Sequence, residues 1–299
     1  MLIVEKSIWS KRRNSVLIKR KKTMPELPEV ETVKRGLSPF LAGRKIVSVK
    51  KTRPDLRWPI PGSLESVLTG ARVLKLERRG KYILWHTQDE MVMILHLGMS
   101  GRVLITKDLP KLKNAHDHLT FKTEDGFFIR YNDPRRFGFV DIVPLKNLAE
   151  YPSLAALGPE PLSNAFNASA LRQKINKKQS PIKSVLLDQT IIAGLGNIYV
   201  CEALHRSGIS PRRKAKNISE NKIDSLVVAI RVVLQDAINA GGSTLKDHLQ
   251  TTGEMGYFQH QFRVYSREGE ECMKKSCLGT IKRIIQSGRS TFFCSMCQR

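Results

Sequence analysis

The chain has 299 residues, which is long enough for two domains that each bury a core, and its 41% hydrophobic content is ordinary for a globular protein. Its formal net charge of +24 is far from ordinary. A surplus of this size points to a polyanionic partner, with nucleic acid the leading candidate, although a merely solvated basic surface gives the same count. No apolar run approaches the roughly 18–20 residues that span a bilayer, so the sequence argues against a membrane protein.

The first 23 residues form a strongly basic segment. They hold eight Lys and Arg residues against one acidic residue, Glu5, and so supply +7 of the net charge and leave +17 for the rest of the chain. Three interpretations fit this composition: an organelle-targeting leader, a solvated arm, or a stretch that precedes the true start of translation. The residues that follow favour the third.

The decapeptide Met-Pro-Glu-Leu-Pro-Glu-Val-Glu-Thr-Val, which starts at Met24, predicts a helix with Pro28 in its first turn. If Met24 is the first residue and is removed, Pro25 becomes an N-terminal secondary amine, and an α-amino pKa of about 7.7–8.0 leaves part of it as free base near neutrality. Such an amine can attack a sugar C1′ and form an iminium, and Glu26 beside it is a candidate proton shuttle. An amide-bonded Pro25 has no nucleophilic lone pair. We therefore expect residues 1–24 to be a basic leader that is absent from the active mature protein.

Residues 44 to 144 predict a β-rich domain. Short runs rich in β-branched and aromatic residues are separated by turns, at a spacing that suits a two-layered antiparallel sandwich or barrel. The predicted strands are Ile46–Val49, Val73–Leu76, Tyr82–Trp85, Met91–Leu95, Arg102–Ile105, Leu119–Phe121 and Phe127–Arg130.

A Pro- and Gly-rich segment at residues 157–162 marks the predicted domain boundary, beyond which the apolar period becomes helical. Two short helices are predicted at Pro181–Gln189 and Asn197–Arg206, joined by a turn that contains Gly194 and Gly196. Glycines at the start of a helix let backbone N–H groups approach a phosphate, but one Gly-x-Gly pair is weak evidence. A long amphipathic helix over residues 223–238 is assigned to core packing alone.

Four of the five cysteines form two close pairs at the carboxyl end. Four thiolates at this spacing predict one structural Zn²⁺ held in a closed tetrahedral site, and the odd count argues for a reduced compartment rather than a disulfide framework. The fifth cysteine, Cys201, has no assigned role. The predicted metal ligands are Cys272, Cys277, Cys294 and Cys297.

Together, the decapeptide at Met24, the Gly194-Leu195-Gly196-Asn197 turn and the cysteine pairs resemble the bacterial formamidopyrimidine-DNA glycosylases. The resemblance covers about residues 24–299, although the first cysteine pair is spaced by four residues where the family normally has two. It implies a bifunctional enzyme that excises oxidised purines, such as 8-oxoguanine and formamidopyrimidines, and then cleaves the strand by β,δ-elimination. It also implies that the protein is a monomer and that its partner is damaged double-stranded DNA. The expected location is the bacterial cytoplasm, at the nucleoid.

The resemblance further implies a catalytic set. Pro25 is the expected nucleophile that forms the Schiff base, and Glu26 assists proton transfer. Lys81 matches a lysine in the active cleft near the lesion sugar and phosphate. Arg289, at the tip of a predicted hairpin, matches an arginine that grips the phosphates around the lesion.

A second implied set contacts the DNA. Met99, Arg135 and Phe137 match residues that fill the space left by an extruded nucleotide and hydrogen-bond the widowed base. Gln179 stands where the resemblance implies a basic phosphate contact, and it departs from the family pattern there. The other implied DNA contacts, on loops and at helix starts, are His96, His116, Lys183 and Asn197.

The predicted fold is α+β: an N-terminal antiparallel β-sandwich, a helical domain with a helix–two-turn–helix, and a terminal zinc-ribbon hairpin. We expect the catalytic domain at 25–157, the DNA-binding domain at 158–262 and the zinc finger at 263–299. Two alternatives stay open: an oxidised-pyrimidine glycosylase of the same fold, similar to endonuclease VIII, and a non-enzymatic zinc-ribbon DNA-binding protein. The segment Thr251–Phe258 favours purines, because it resembles the loop that closes over oxidised guanine.

Overall fold

The computed structural model describes residues 24–108, 114–243 and 256–299, and the fold is α+β. Residues 1–23 of the predicted leader and residues 251–255 of the predicted loop lie outside the described residues. Strands are numbered in chain order as β1 Ile46–Lys51, β2 Val73–Arg79, β3 Tyr82–Thr87, β4 Met91–His96, β5 Arg102–Thr106, β6 Asp117–Thr123, β7 Phe128–Asn132, β8 Phe139–Pro144, β9 Ile281–Gln286 and β10 Arg289–Cys294. The α-helices are α1 Leu27–Leu41, α2 Leu64–Leu68, α3 Pro152–Ala155, α4 Ala168–Ile175, α5 Ile182–Leu186, α6 Asn197–Arg206 and α7 Glu220–Asn239.

The first eight strands form two antiparallel four-stranded sheets, in the orders β1-β6-β7-β5 and β2-β3-β4-β8. Their inner faces share one hydrophobic core, in which the Trp85 and Phe121 rings of opposite sheets lie 4.9 Å apart. The predicted sandwich is confirmed. All seven predicted strands are present, and the structure adds β8, which pairs with β4 and which the sequence analysis did not predict.

Helix α1 packs its apolar stripe into this same core. Pro28 is tolerated because it sits in the first turn, where its missing N–H would have no intrahelical partner. Val30, Val33 and Leu37 recur at helical spacing and are all buried. The sequence pattern at Met24 therefore folds as predicted.

The helical domain is built around α6 and α7, whose apolar faces form a second core. Helix α6 has the predicted bounds, whereas α5 is shorter than the predicted Pro181–Gln189. It ends early because the Gln189 side chain binds the following turn, donating to Leu195 O at 2.9 Å and accepting from Gly194 N at 2.8 Å.

The terminal hairpin β9–β10 is antiparallel and packs on the helical core rather than standing apart, since Ile281 and Phe292 are buried in it. Its two-residue turn has Ser287 at φ 48° and Gly288 at φ 71°, the left-handed conformation that favours glycine at hairpin turns. No helix among the described residues is long and apolar enough to cross a membrane.

The two domains meet where α1 begins. Leu27 N donates to Gly194 O at 3.2 Å, and Gly194 itself has φ 78°. A Cβ on Gly194 would lie 2.7 Å from Leu27 Cδ1 and 3.2 Å from Gly80 O. The turn before α6 therefore requires glycine for both its backbone conformation and its closeness to the sandwich.

We predict that Gly194→Ala lowers the free energy of unfolding by about 1–3 kcal/mol more than Gly43→Ala does, because it adds overpacking to the backbone strain. Gly43 is the matched control, since its φ of 77° is nearly the same and a Cβ added there would meet nothing within 4 Å. Denaturant unfolding of both variants measures the difference. Equal losses would contradict the proposed close packing.

Candidate active site and nucleic-acid interface

A cleft of about 2170 Å³ lies between the sandwich and the helical domain. Its walls come from both domains and from the terminal hairpin, so it exists only because these units pack together. Seven of the residues singled out in the sequence line it: Glu26, Lys81, His96, Met99, Phe137, Asn197 and Arg289.

Glu26 is buried at the domain junction, directly before α1. Its Oε1 accepts a hydrogen bond from Ile198 N at 3.0 Å, while its Oε2 is buried without a hydrogen-bond partner in the described part of the chain. Burial raises the pKa of this carboxyl to about 7, against the opposing pull of the Lys81 ammonium. A carboxyl with this pKa holds or releases a proton near neutrality, which is what a proton shuttle requires.

Gly196 makes this position possible. A Cβ on Gly196 would lie 2.1 Å from Glu26 Cδ, closer than any real contact. The predicted Gly-x-Gly turn therefore has a structural reason for each glycine: Gly194 packs on Leu27, and Gly196 leaves room for the carboxyl.

Lys81 lies next to this carboxyl on the turn between β2 and β3. It is buried, and burial lowers the pKa of its ammonium while the charge of Glu26 raises it. Glu160 holds the turn in place, since it accepts from Gly80 N at 2.6 Å and pairs with Arg78 at 2.6 Å and Arg79 at 3.0 Å. These contacts tie the segment that joins the two domains to the strand that precedes Lys81.

Glu29 is a buried carboxylate that fixes the start of α1. Its Oε2 accepts from Glu26 N at 3.0 Å, and its Oε1 accepts from Tyr199 OH at 2.5 Å and from Ser243 N at 2.8 Å. One side chain thus connects the residue before α1 with α6 and with the segment after α7. Nothing in the sequence indicates this function for Glu29, since its partners Tyr199 and Ser243 lie far along the chain.

The loops that carry Met99 and Phe137 are organised by Asp133, which is fully buried. Its carboxylate accepts from Ser100 Oγ and from Gly138 N, the latter at 2.7 Å. Asp133 was not among the predicted site residues, although an Asp directly before Pro134 in a loop that ends at Gly138 indicates a turn-forming side chain.

The two loops also touch directly. Gly98 has φ 66°, and a Cβ there would lie 2.3 Å from the Phe137 carbonyl carbon. Phe137 is 44% exposed and Met99 lines the cleft beside it. The Arg135 guanidinium lies 5.0 Å from the centre of the Phe137 ring.

His96 lies at the end of β4, and its Nδ1 accepts from Gly98 N at 3.0 Å. Burial lowers its pKa to about 4, and the neighbouring charges of Lys81 and Arg57 act in the same direction. The imidazole is therefore neutral near pH 7 and can offer its Nε2–H as a hydrogen-bond donor.

Asn197 and Lys183 hold the hairpin from the helical side. Asn197 Nδ2 donates to Ser290 O at 3.0 Å, and Lys183 Nζ donates to the same carbonyl at 3.3 Å and to Thr291 Oγ1 at 2.7 Å. These bonds fix the residues directly after Arg289, whose side chain is on the cleft. Burial lowers the pKa of Lys183.

Four predicted site residues do not line the cleft themselves. Pro25 is buried, with its neighbours Met24 and Glu26 on the cleft wall. Lys183 lies fully buried behind the hairpin, and His116 is exposed on the loop before β6. Arg135 is half-buried, and its guanidinium lies over the ring of Phe137, which lines the cleft.

The four carboxyl-terminal cysteines form one cluster, with all four Sγ atoms within 4.8 Å of one another. Cys272 and Cys297 Sγ lie 3.7 Å apart, as do those of Cys277 and Cys294. Tetrahedral thiolates about 2.3 Å from a zinc ion are separated by about 3.8 Å, so the donor set fits such an ion, whereas a disulfide needs about 2.05 Å. The cluster can hold a metal ion.

Cys201 stands apart from this cluster, buried in the helical core. Burial raises the pKa of its thiol to about 11, which leaves it protonated and unreactive. Gln179 is exposed on the loop before α5.

Two family models match the chain. The formamidopyrimidine-DNA glycosylase N-terminal domain matches residues 24–140, and the formamidopyrimidine-DNA glycosylase H2TH domain matches residues 157–248. The first match begins at Met24 and covers the sandwich up to the start of β8, and the second covers most of the helical domain.

Complete formamidopyrimidine-DNA glycosylases are also similar to the chain. The formamidopyrimidine-DNA glycosylase of Paracoccus denitrificans is 55% identical and that of Caulobacter vibrioides 50%, each over 92% of this chain and all of the relative. Among solved structures, Lactococcus lactis Fpg in complex with DNA containing an abasic site has a TM-score of 0.84 at 36% identity, over 92% of this chain and all of that one. MutM in complex with DNA containing carbocyclic 8-oxo-G has a TM-score of 0.83 at 39% identity, with the same coverage.

The raised pKa of Glu26 predicts a pH-dependent stability. The folded state holds the Glu26 proton more tightly than the unfolded chain does. The protonated carboxyl therefore contributes to the free energy of unfolding below pH 4.5, and this contribution is lost as the pH rises to about 7. Over this pH range the unmutated protein should lose about 3 kcal/mol more of its free energy of unfolding than the Glu26→Gln variant does. Urea unfolding across the range measures it, with the exposed Glu150→Gln as the control for one lost charge. Parallel profiles for the parent and Glu26→Gln would contradict the assignment.

Proposed function

This chain belongs to the formamidopyrimidine-DNA glycosylase family, and we propose that its catalytic groups are an N-terminal Pro25 and the buried Glu26. It is a DNA glycosylase and AP lyase that acts on formamidopyrimidine and 8-oxoguanine lesions. The proposal for the residues is carried by one observation. A carboxyl with a pKa of about 7 and one unpartnered oxygen lies directly after Pro25, on the wall of the cleft.

The reaction begins when the Pro25 nitrogen attacks C1′ of the damaged nucleotide and the base departs, with its proton supplied through Glu26. The sugar ring then opens: the C1′–O4′ bond breaks, O4′ takes up a proton, and C1′ and the Pro25 nitrogen form an iminium. The iminium acidifies the 2′ hydrogen, so that loss of this proton expels the 3′ phosphate. A second elimination then expels the 5′ phosphate. The iminium nitrogen takes up the electron pair at each stage, and no redox cofactor is needed.

Pro25 can act only as a free amine. The family match that begins at Met24 supports a mature chain that starts at Pro25, with residues 1–24 absent from the active enzyme. Lys81 contributes a positive charge beside the reacting sugar and phosphate. Arg289, held by the bonds of its neighbour Ser290, grips the phosphates around the lesion.

The remaining proposed contacts serve an extruded nucleotide. Met99 and Phe137 fill the space it leaves, and Arg135 hydrogen-bonds the widowed base. His96 and His116 donate to the backbone, and Asn197 and Lys183 act on the helical side of the cleft. The partner is damaged double-stranded DNA, bound by a monomer in the bacterial cytoplasm, at the nucleoid.

The proposed division of the chain follows the same assignments. The catalytic domain spans 25–157, the helix–two-turn–helix domain 158–262 and the zinc finger 263–299. In the last of these, the four clustered cysteines hold one Zn²⁺, which when bound supplies a structural cross-link beneath the hairpin that carries Arg289.

The Schiff base predicts a covalent product. Borohydride added during the reaction on an 8-oxoguanine duplex should link protein to DNA, and sequencing the linked peptide should identify Pro25. Pro25→Gly should abolish or sharply reduce the adduct, while an undamaged duplex should give none. Mass spectrometry of the active protein should find Pro25 as the first residue. An active enzyme that retains Met1 would refute the proline mechanism.

The same experiment separates the alternatives. A non-enzymatic zinc-ribbon protein would bind the duplex without forming an adduct. An oxidised-pyrimidine glycosylase would act faster on thymine glycol than on 8-oxoguanine when both duplexes are assayed in parallel. We expect the opposite order.

The metal assignment predicts one zinc ion per chain, measured by elemental analysis. Cys297→Ser should lose most of this zinc and weaken DNA binding, because the hairpin loses its cross-link. Cys201→Ala is the matched control, since it removes a buried cysteine that is outside the cluster, and it should retain the metal. A full zinc content in Cys297→Ser would contradict the four-cysteine site.

A further inference from the structure

The loop between β1 and α2 presents an aromatic side chain that the proposed mechanism does not use. Trp58 is 61% exposed, the largest side chain among the exposed hydrophobic residues of the described ranges. It lines the same cleft as Glu26 and Lys81, together with its neighbours Arg57 and Pro59. An indole left in water at the wall of a basic cleft is a surface that gains free energy when a partner covers it.

The anchoring of the loop on both sides of Trp58 keeps its side chain exposed. Leu56 and Ile60, two residues to either side, are buried in the sandwich core. Leu56 N donates to Trp58 O at 2.9 Å, and Ile60 N donates to Pro54 O at 2.8 Å. The loop is therefore anchored on both sides of Trp58, which fixes the ring on the cleft wall instead of allowing it to fold into the core.

Arg57 places a positive charge beside this ring. Its backbone N–H donates to Gly138 O at 3.2 Å, which joins the loop to the segment that carries Phe137. Its guanidinium is near enough to His96 to help lower the pKa of that imidazole. Within the described residues, Arg57 forms no ion pair, so its charge is available to a ligand.

We propose that Arg57 and Trp58 form a further contact with the DNA, in which the guanidinium faces a phosphate and the indole ring packs on the nucleotides beside Met99 and Phe137. The inference rests on the proposed function, because it takes the occupant of the cleft to be duplex DNA. The chemistry fits that occupant. Arginine pairs with phosphate, and an aromatic ring packs on a base or sugar without regard to sequence.

The tryptophan content of the chain allows a direct test. There are three tryptophans, Trp9, Trp58 and Trp85. The proposed mature chain, which starts at Pro25, lacks Trp9, and Trp85 is 1% exposed, so the quenching of its fluorescence by acrylamide reports on Trp58. A labelled duplex with an uncleavable abasic-site analogue measures binding independently by anisotropy. When the duplex is bound, we expect the quenching constant to fall several-fold. It should reach the value of the Trp58→Phe variant of the same chain, whose fluorescence comes from the buried Trp85.

Affinity gives a second, independent measurement. Trp58→Ala should weaken binding of the duplex roughly 5- to 100-fold, the usual cost of removing an aromatic packing partner from a nucleotide, and Trp58→Phe should restore most of the loss. Arg57→Gln should lower the slope of log affinity against log salt by about 1. Leu74→Ala is the matched control, since Leu74 is 56% exposed on β2 away from the cleft, and it should leave the affinity unchanged.

The outcomes are distinct. A duplex that binds by anisotropy while the quenching of Trp58 stays unchanged overturns this inference and leaves the proposed function intact. An equal loss of affinity in Trp58→Ala and Leu74→Ala overturns it as well. A duplex that does not bind at all overturns the proposed function, and the inference with it. Because Trp58 is largely exposed, the unfolding midpoint of Trp58→Ala should match that of the parent, which separates lost binding from lost folding.

Discussion

The site depends on one contact between the domains, the hydrogen bond from Ile198 N to the Glu26 carboxylate. It places the Glu26 side chain against the first turn of α6, in a position that is 4% exposed and 3.0 Å from a backbone donor. Burial there raises the pKa of Glu26 to about 7, and the nearby Lys81 is the foremost of the groups that moderate the effect. The proton-holding capacity of the site is therefore a property of domain packing, because neither domain alone would bury this carboxyl.

The surrounding polar contacts keep the two domains in that arrangement. Glu29 connects the residue before α1 with Tyr199 and Ser243, and Glu160 connects the interdomain segment with Arg78 and Gly80. Glu29 is buried and Glu160 is half-buried, and both carboxylates accept several hydrogen bonds, which compensate for the lost contact with water. The same bonds hold Lys81 and Glu26 on one wall of the cleft, where their charges act on each other.

The hairpin side of the cleft is held by a different set of contacts. The carbonyl of Ser290 accepts from both Asn197 and Lys183, so the helical domain fixes the hairpin beside Arg289. The cysteine cluster lies at the far end of the same two strands. A side chain at a hairpin tip would otherwise move with the turn. Here the backbone beside Arg289 is held by the helical domain, which suits the phosphate contact proposed for this residue.

The sequence by itself determined the elements and the types of chemistry. Helical periodicity after Met24 predicted α1, alternating runs predicted seven of the eight sandwich strands, and the spacing of Cys272, Cys277, Cys294 and Cys297 predicted their cluster. These patterns are local, because each follows from the geometry of one helix, one strand or one chelating pair. The family resemblance was likewise carried by short motifs, and the family comparison confirmed it.

Only the tertiary structure decided which of those residues meet, and in what environment. Nothing in the chain near Glu26 shows that Gly196 leaves room for it, that Lys81 faces it, or that Asp133 shapes the loops of Met99 and Phe137. Lys183 looked like a residue of the cleft and is buried behind the hairpin, whereas Trp58 drew no attention and lines the cleft wall. The reason is physical: burial, pKa and charge pairing depend on contacts between residues that are distant in sequence, and these contacts exist only after the two domains have packed.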